Sequence, residues 1–204
     1  DMKSIDLIQN KDLRISFKIP ASNISDKSYI SKVCKFKTRI YLAVGGAKIS
    51  EVEESLDYIN SLKFKNEVIL LCGFQNFPTK IKDSNLAQID YLKKKFKLRL
   101  AYADHTDSNN FDMRSAIPIL AYISGCDFIE KHITLNRKQK GRDYFSSLDP
   151  DEFKEFVYNI KNINTIYGDP IMMGKTQAEL NYREFSKRFA VANKNISAGS
   201  SCRL

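Results

Sequence analysis

The chain carries two histidines, and each stands in a phrase of polar residues that closes an apolar run: Ala103-Asp104-His105-Thr106 and Ile129-Glu130-Lys131-His132-Ile133-Thr134. A neutral imidazole is the commonest side-chain ligand of a divalent metal. If the two runs are parallel strands of one barrel, both imidazoles emerge at the same rim, where a shared ion is the chemistry they would support. Strand alternation puts Glu130 and His132 on one face and Lys131 on the other. Glu130 is then placed to orient an imidazole or a metal-bound water. Asp104 faces away from His105 and reads as a structural pair or cap. Thr79, Thr106 and Thr134 follow strand ends, where a hydroxyl can bind substrate or cap the next helix.

The elements that must position these residues recur along the chain. Apolar runs at 15–20, 40–44, 68–72, 98–102 and 126–129 are spaced roughly 24 to 30 residues apart, the length of a βα unit. Amphipathic stretches lie between them. Ser50 to Leu62 carries Val52, Leu56, Ile59 and Leu62 on one face, with Ser50 and Glu53 spaced as a capping box. Ser84 to Phe96 and Phe111 to Ser124 follow, the latter stopping at Gly125, and Asp149-Pro150-Asp151-Glu152 opens another helix with proline at its first position. Strict βα alternation predicts a parallel sheet with helices outside, as a doubly wound sheet or a barrel. No GxGxxG follows the first strand, and polar clusters sit just past each strand, the barrel pattern. The expectation is an α/β fold: a partial (β/α)8 TIM barrel of about five βα units over 1–168. A linker helix at 169–187 and a strand-like segment at 188–192 within 188–204 follow, the latter opening a small second domain.

A net charge of +9 favours anionic partners such as phosphorylated metabolites. No RNA-recognition signature or arginine-rich arm is present, so nucleic acid is not expected. No apolar run reaches the roughly 18 residues of a membrane span, and no signal peptide is visible. Cys34, Cys72, Cys126 and Cys202 are widely spaced without a CxxC, which fits a reducing cytoplasm. The non-Met start and abrupt end lead us to expect a fragment.

Read in order, Phe17-Lys18-Ile19-Pro20, Gly45-Gly46-Ala47, Phe77-Pro78-Thr79, Asp104-His105-Thr106, Glu130-Lys131-His132-Ile133-Thr134-Leu135, Gly141-Arg142-Asp143 and Leu148-Asp149-Pro150-Asp151-Glu152-Phe153 resemble the sialic acid synthase (N-acetylneuraminate synthase) family and its relatives for legionaminic, pseudaminic and spore-coat sugars. The resemblance covers nearly the whole chain, and the tail from Arg188 to Gly199 resembles the opening of that family's antifreeze-like domain. It implies a TIM barrel, metal-dependent condensation of phosphoenolpyruvate with an N-acetylated amino sugar, and manganese or magnesium at His105 and His132. It also implies a domain-swapped homodimer of the full-length protein, a cytoplasmic enzyme of polysaccharide biosynthesis. The fragment alone is expected to be inactive.

The resemblance further assigns Lys18 to the carboxylate or phosphate of the enol phosphate and Asp143 to the neighbourhood of metal and sugar. Glu130 joins them as a catalytic candidate. Ser22, Asn23, Gln75, Phe77, Thr106 and Asp143 are the substrate-binding candidates. Several positions depart from the family pattern. Asn23 stands where a proton-transfer acid is common, and Ala21, Ala43 and Ala103 stand where phosphate-binding serines are common. Gln75 and Phe77 replace an asparagine and a tyrosine; the first keeps a donor and the second loses its hydroxyl. Ser22 is positioned to replace one lost hydroxyl. These departures give an alternative, a non-catalytic sugar-binding or assembly homologue. A third reading is another metal-dependent barrel lyase or aldolase that kept only the histidine pair.

Overall fold

The computed structural model describes residues 2–8, 15–73, 76–168, 171 and 176–201. Residues 1–161 form one compact unit and 162–204 a second. In the first unit, helix α1 (Met2–Ile8) precedes strand β1 (Phe17–Ile19). Helix α2 (Lys27–Cys34), β2 (Ile40–Ala43), α3 (Ile49–Ser61), β3 (Val68–Cys72), α4 (Ala87–Phe96), β4 (Arg99–Asp104), α5 (Met113–Ile123), β5 (Phe128–Ile133) and β6 (Ser147–Leu148) follow, and α6 (Pro150–Tyr167) begins in this unit and ends in the second.

All six strands pair in parallel, and their spatial order is their order in the chain. A doubly wound sheet must reverse its strand order at a switch point; this sheet has none. It curls instead. Strands β1 and β5 are four ladder spacings apart, about 19 Å across a flat sheet, which is beyond the combined reach of a lysine and a glutamate. Yet Lys18 Nζ on β1 lies 2.6 Å from Glu130 Oε1 on β5. The sheet is therefore a curled half-barrel with a concave inner face.

Alternation sorts the strand residues between two cores. Ile19, Ile40, Leu42, Leu70, Leu100 and Tyr102 turn outward and pack with Ile30, Val33, Val52, Ile59, Ile89 and Leu92 of the helices. Ala43, Ile69, Leu71, Ala101 and Ala103 turn inward, with Tyr41 and Phe128 against them. The outer layer holds most of the large aliphatic burial, worth about 1.5–3 kcal/mol per side chain. The inner layer is built from smaller residues, which leaves room on the concave side.

The five expected strands form where the apolar runs lie, but β4 and β5 extend further, because their ladder continues to the pair Asp104 and Lys131. Strand β6 was not expected; two residues are too few to show a period. Helix α2 was also missed, although Asp26 caps it by accepting from the Tyr29 N–H at 3.0 Å. The capping box of α3 is corrected: Glu51 Oε2, not Glu53, accepts from the backbone N–H of the N-cap residue, Lys48, at 2.6 Å. Glu53 turns to Lys95 instead, 2.6 Å away.

In the second unit, α7 (Gln177–Ser186) forms as expected, with Thr176 and Glu179 making a capping box. Residues 188–192 form no strand. A lone extended segment gains nothing without a neighbour to complete its ladder. Among the described residues, no helix is long and apolar enough to cross a membrane. Cys34, Cys72 and Cys126 are free and buried, as small core residues; burial pushes the Cys34 thiol up to about 11.

Candidate active site at the barrel mouth

Parallel strands all end at the same rim, so residues at their carboxyl ends converge without being near in sequence. His105 follows β4 and His132 lies near the end of β5. Their ring centres are 5.1 Å apart with planes inclined by 45°. His105 is 3% exposed and His132 is half-buried. A metal–nitrogen bond of about 2.1 Å puts each ring centre roughly 3.3 Å from an ion, so rings at right to tetrahedral angles have centres about 4.7–5.4 Å apart. The observed spacing falls inside that window. In ring spacing the pair is compatible with two adjacent positions on one divalent ion. Among the described residues, no group of three histidine, cysteine or carboxylate side chains forms a complete cage, so the remaining positions would fall to water and substrate.

Phe77 stands over this pair. Its ring meets His105 edge-on at 4.4 Å and His132 at 5.9 Å. It is carried by a loop that Thr79 ties down, donating its N–H to the His105 carbonyl at 2.8 Å. The same carbonyl accepts from Ser146 Oγ at 2.8 Å. That second bond anchors the turn Tyr144–Ser146, and with it Asp143, against the loop that bears His105. Asp143 itself is in the left-handed region, φ +56°. It is partly exposed, and its nearest cation is Arg142, 3.9 Å away.

Lys18 and Glu130 lie on the concave face below the rings, where each is paired with the other. Both border a cleft of 680 Å³ that also takes in Tyr41, Phe128, Phe153 and Val157. Neither histidine lines it. Tyr41 and Phe128, in T-shaped contact at 5.7 Å, were not singled out from sequence, where they read as ordinary strand aromatics. Ser22 and Asn23 sit in a turn after β1 (21–23), hydrogen-bonded to each other at 3.1 Å. Ser22 lines a separate rim cleft of 370 Å³ with Gly45 and Gly46.

Thr106 is not brought to the mouth. It is buried, and its hydroxyl donates to Asp104 Oδ1 at 2.5 Å. Gln75 lies outside the described residues. Ala43 and Ala103, with Ala21 packed beside them, form part of the inner core, so the positions where hydroxyls were expected in the family do lie together on the concave face.

Sequence reasoning also missed a clamp behind the rim. Glu152 in the first turn of α6 accepts from Arg114 of α5 at 2.5 Å and from Arg137 at 2.5 and 2.8 Å. Arg137 above all, by hydrogen bonding, holds the Glu152 carboxyl down at about 2. Its only sequence signal was an acid in the first helical turn, which occurs at most helices.

A curled, singly wound α/β half-barrel with two imidazoles at its mouth is the class this geometry defines. Residues 1–172 match the model of the NeuB family, and the chain belongs to that family. It is 33% identical over 201 residues to the N,N'-diacetyllegionaminic acid synthase of Campylobacter jejuni, covering 98% of this chain and 58% of that protein. It is 29% identical to the pseudaminic acid synthase of the same organism, over 91% of this chain and 51% of that protein. Among solved structures, the N-acetylneuraminic acid synthetase of Leptospira borgpetersenii superposes with a TM-score of 0.75 at 27% identity, covering 93% of this chain and 64% of that one. The chain thus spans about half the length of the curated relatives it matches.

Proposed function

We propose that the protein containing this chain joins phosphoenolpyruvate to an N-acetylated amino sugar in its open aldehyde form, giving a sialic-acid-like nonulosonate and releasing phosphate. The methylene carbon of phosphoenolpyruvate forms the new bond to the aldehyde carbon, whose oxygen takes up the displaced electron pair and a proton. Water adds, with loss of a proton, at the carbon that bears the phosphate oxygen, and the bond from that carbon to the phosphate oxygen breaks to release phosphate and leave a ketone. The observation that carries this reading is the imidazole pair, 5.1 Å apart at the mouth, above the only ion pair that crosses the concave face among the described residues, Lys18 with Glu130. Relatives that are synthases of such sugars support it.

A divalent ion, manganese or magnesium, bound by His105 and His132 would supply Lewis-acid stabilisation of charge on the aldehyde oxygen, worth several kcal/mol. Lys18 binds the carboxylate or phosphate of phosphoenolpyruvate. Glu130 holds the Lys18 ammonium on the concave face until that anion arrives. Asp143 orients the sugar, and Phe77 shields one side of the imidazoles from water. Ser22, Asn23 and Gln75 border the substrate, with Thr106 acting from behind. The reading includes a cytoplasmic location and a domain-swapped homodimer. The half-barrel alone, open at β1 and β6, is inactive.

The test is phosphate release by the full-length protein. Turnover that requires manganese or magnesium and an N-acetylated aldose is the expected result. The inner-face alanines at 21, 43 and 103 favour one rival, a non-catalytic homologue that binds sugar or assembles with another enzyme. Metal-loaded protein that binds an N-acetylated aldose yet releases no phosphate would establish that rival instead.

A further inference from the structure

Directly behind the two imidazoles, on the helix side of the sheet, lies an ion pair that the proposed chemistry does not use. Asp104 and Lys131 precede His105 and His132, and the two are register partners across the β4–β5 ladder. Their side chains are bonded to each other and are 0% and 1% exposed. They form the last cross-strand rung of the β4–β5 ladder before the histidines; beyond it, β4 has ended. No β4–β5 rung joins the two histidines at their own level; there His132 pairs with Ser147 of β6.

Three further bonds extend the pair. Asp104 Oδ1 accepts from Thr106 Oγ1 at 2.5 Å and from the Thr106 N–H at 3.3 Å, so the carboxylate grips the chain on both sides of His105. Lys131 Nζ donates to the Arg114 carbonyl at 3.4 Å. That carbonyl belongs to α5, four residues before Pro118. Proline has no N–H to give it, so the helix leaves an acceptor that the buried ammonium takes. A buried ion pair of this kind is weak evidence for stability, because desolvation offsets its attraction. Its placement calls for another account.

We propose that Asp104 and Lys131 are positioning residues: the pair fixes the separation and orientation of the two imidazoles from the opposite face of the sheet. The metal-affinity consequence rests on the proposed ligand role of the histidines; the geometric consequence does not. A register or angle error at this rung passes straight to the next residue of each strand, and outer partners of metal ligands typically change affinity by about 10- to 100-fold.

The test replaces both charges at once, Asp104→Leu with Lys131→Met in the full-length protein, since apolar exchange of a whole buried pair is commonly neutral or stabilising for the fold. Two readouts follow the thermal melt: manganese affinity by calorimetry, and the proton cross-relaxation between the two imidazoles in histidine-labelled protein. The expected result is a parental melt, affinity weakened by about tenfold or more, and loss of the inter-ring signal. A parental melt with both the affinity and the inter-ring signal intact overturns the proposal. If the double variant does not fold, Thr106→Val, nearly isosteric and retaining the ion pair, carries the test: weakened inter-ring signal supports the grip on His105, and an unchanged signal refutes it. Undiminished manganese binding in His132→Ala would sink the ligand reading alone and leave the ring geometry to decide the positioning role.

Discussion

The two ends of the half-barrel are built from similar residue types and put them to different uses. At the floor, where the strands begin, Glu67 takes Arg39 at 2.6 Å and Arg99 at 3.2 Å, and Arg99 also reaches Asp127 at 3.2 Å. Both guanidiniums lie over the Phe128 ring, at 5.5 and 4.5 Å. These charges alternate in sign along neighbouring strands, remain a third to half exposed, and satisfy one another. At the mouth, two imidazoles are packed together, and the Asp104–Lys131 pair behind them is buried on the other face. The floor joins its charges into pairs, whereas the mouth brings two imidazoles side by side, the arrangement on which the proposed metal chemistry rests.

The largest expected departure is at the mouth. His132→Ala should lower metal-dependent turnover by about a thousandfold or more, the loss of several kcal/mol of charge stabilisation, while the melting temperature moves by only a few degrees. A variant with parental turnover would erase the difference between the two ends. Next comes the backbone that shapes the rim. Gly73 has φ +122°, and a Cβ there would stand 2.3 Å from the Ala103 carbonyl oxygen. Gly73→Ala should cost about 3 kcal/mol from conformational strain and clash, read by denaturant unfolding. A cost below about 1 kcal/mol would mean that the rim yields easily.

The clamp behind the rim is smaller in effect and depends on pH. The Glu152 carboxyl is lowered from 4.5 to about 2. Its contribution is complete above the unfolded value and disappears as the pH falls through the folded one. Glu152→Gln should lose about 2–3 kcal/mol at neutral pH and show a flatter stability curve between about pH 5 and pH 2. Parallel curves for parent and variant would remove Glu152 from the account. The smallest effect belongs to the floor: Arg99→Ala should cost less than about 1 kcal/mol, as partly exposed ion pairs do, with turnover unchanged. A fall in turnover would show that the floor is coupled to the mouth.

Much of this was legible in the chain itself. The apolar runs marked five strands, and the polar phrases after them marked the rim. The alternation Glu130-Lys131-His132 correctly separated Lys131 from its neighbours, because side-chain direction in a strand depends only on counting by two. Asp104 was likewise expected to pair structurally, and Lys131 proves to be its partner. Other features were hidden for a physical reason. The Lys18–Glu130 pair joins residues 112 positions apart, and nothing local encodes the curl that lets them meet. The Glu152 clamp unites three elements through two arginines that look like ordinary surface charge. Strand β6 exists because β5 offers an edge, with His132 opposite Ser147, and no property of two residues announces that.

What the sequence determined by itself was the period, and hence which face each side chain takes, together with the order of strands and helices; these follow from local sterics and the spacing of apolar residues. What only the tertiary structure decided was distance: how far the sheet curls, that the two imidazoles stand 5.1 Å apart, and that the ammonium of Lys131 finds the carbonyl left open by Pro118. Those separations depend on the simultaneous packing of an outer helical layer and a small-residue inner face, a property of the whole ladder that no single segment carries.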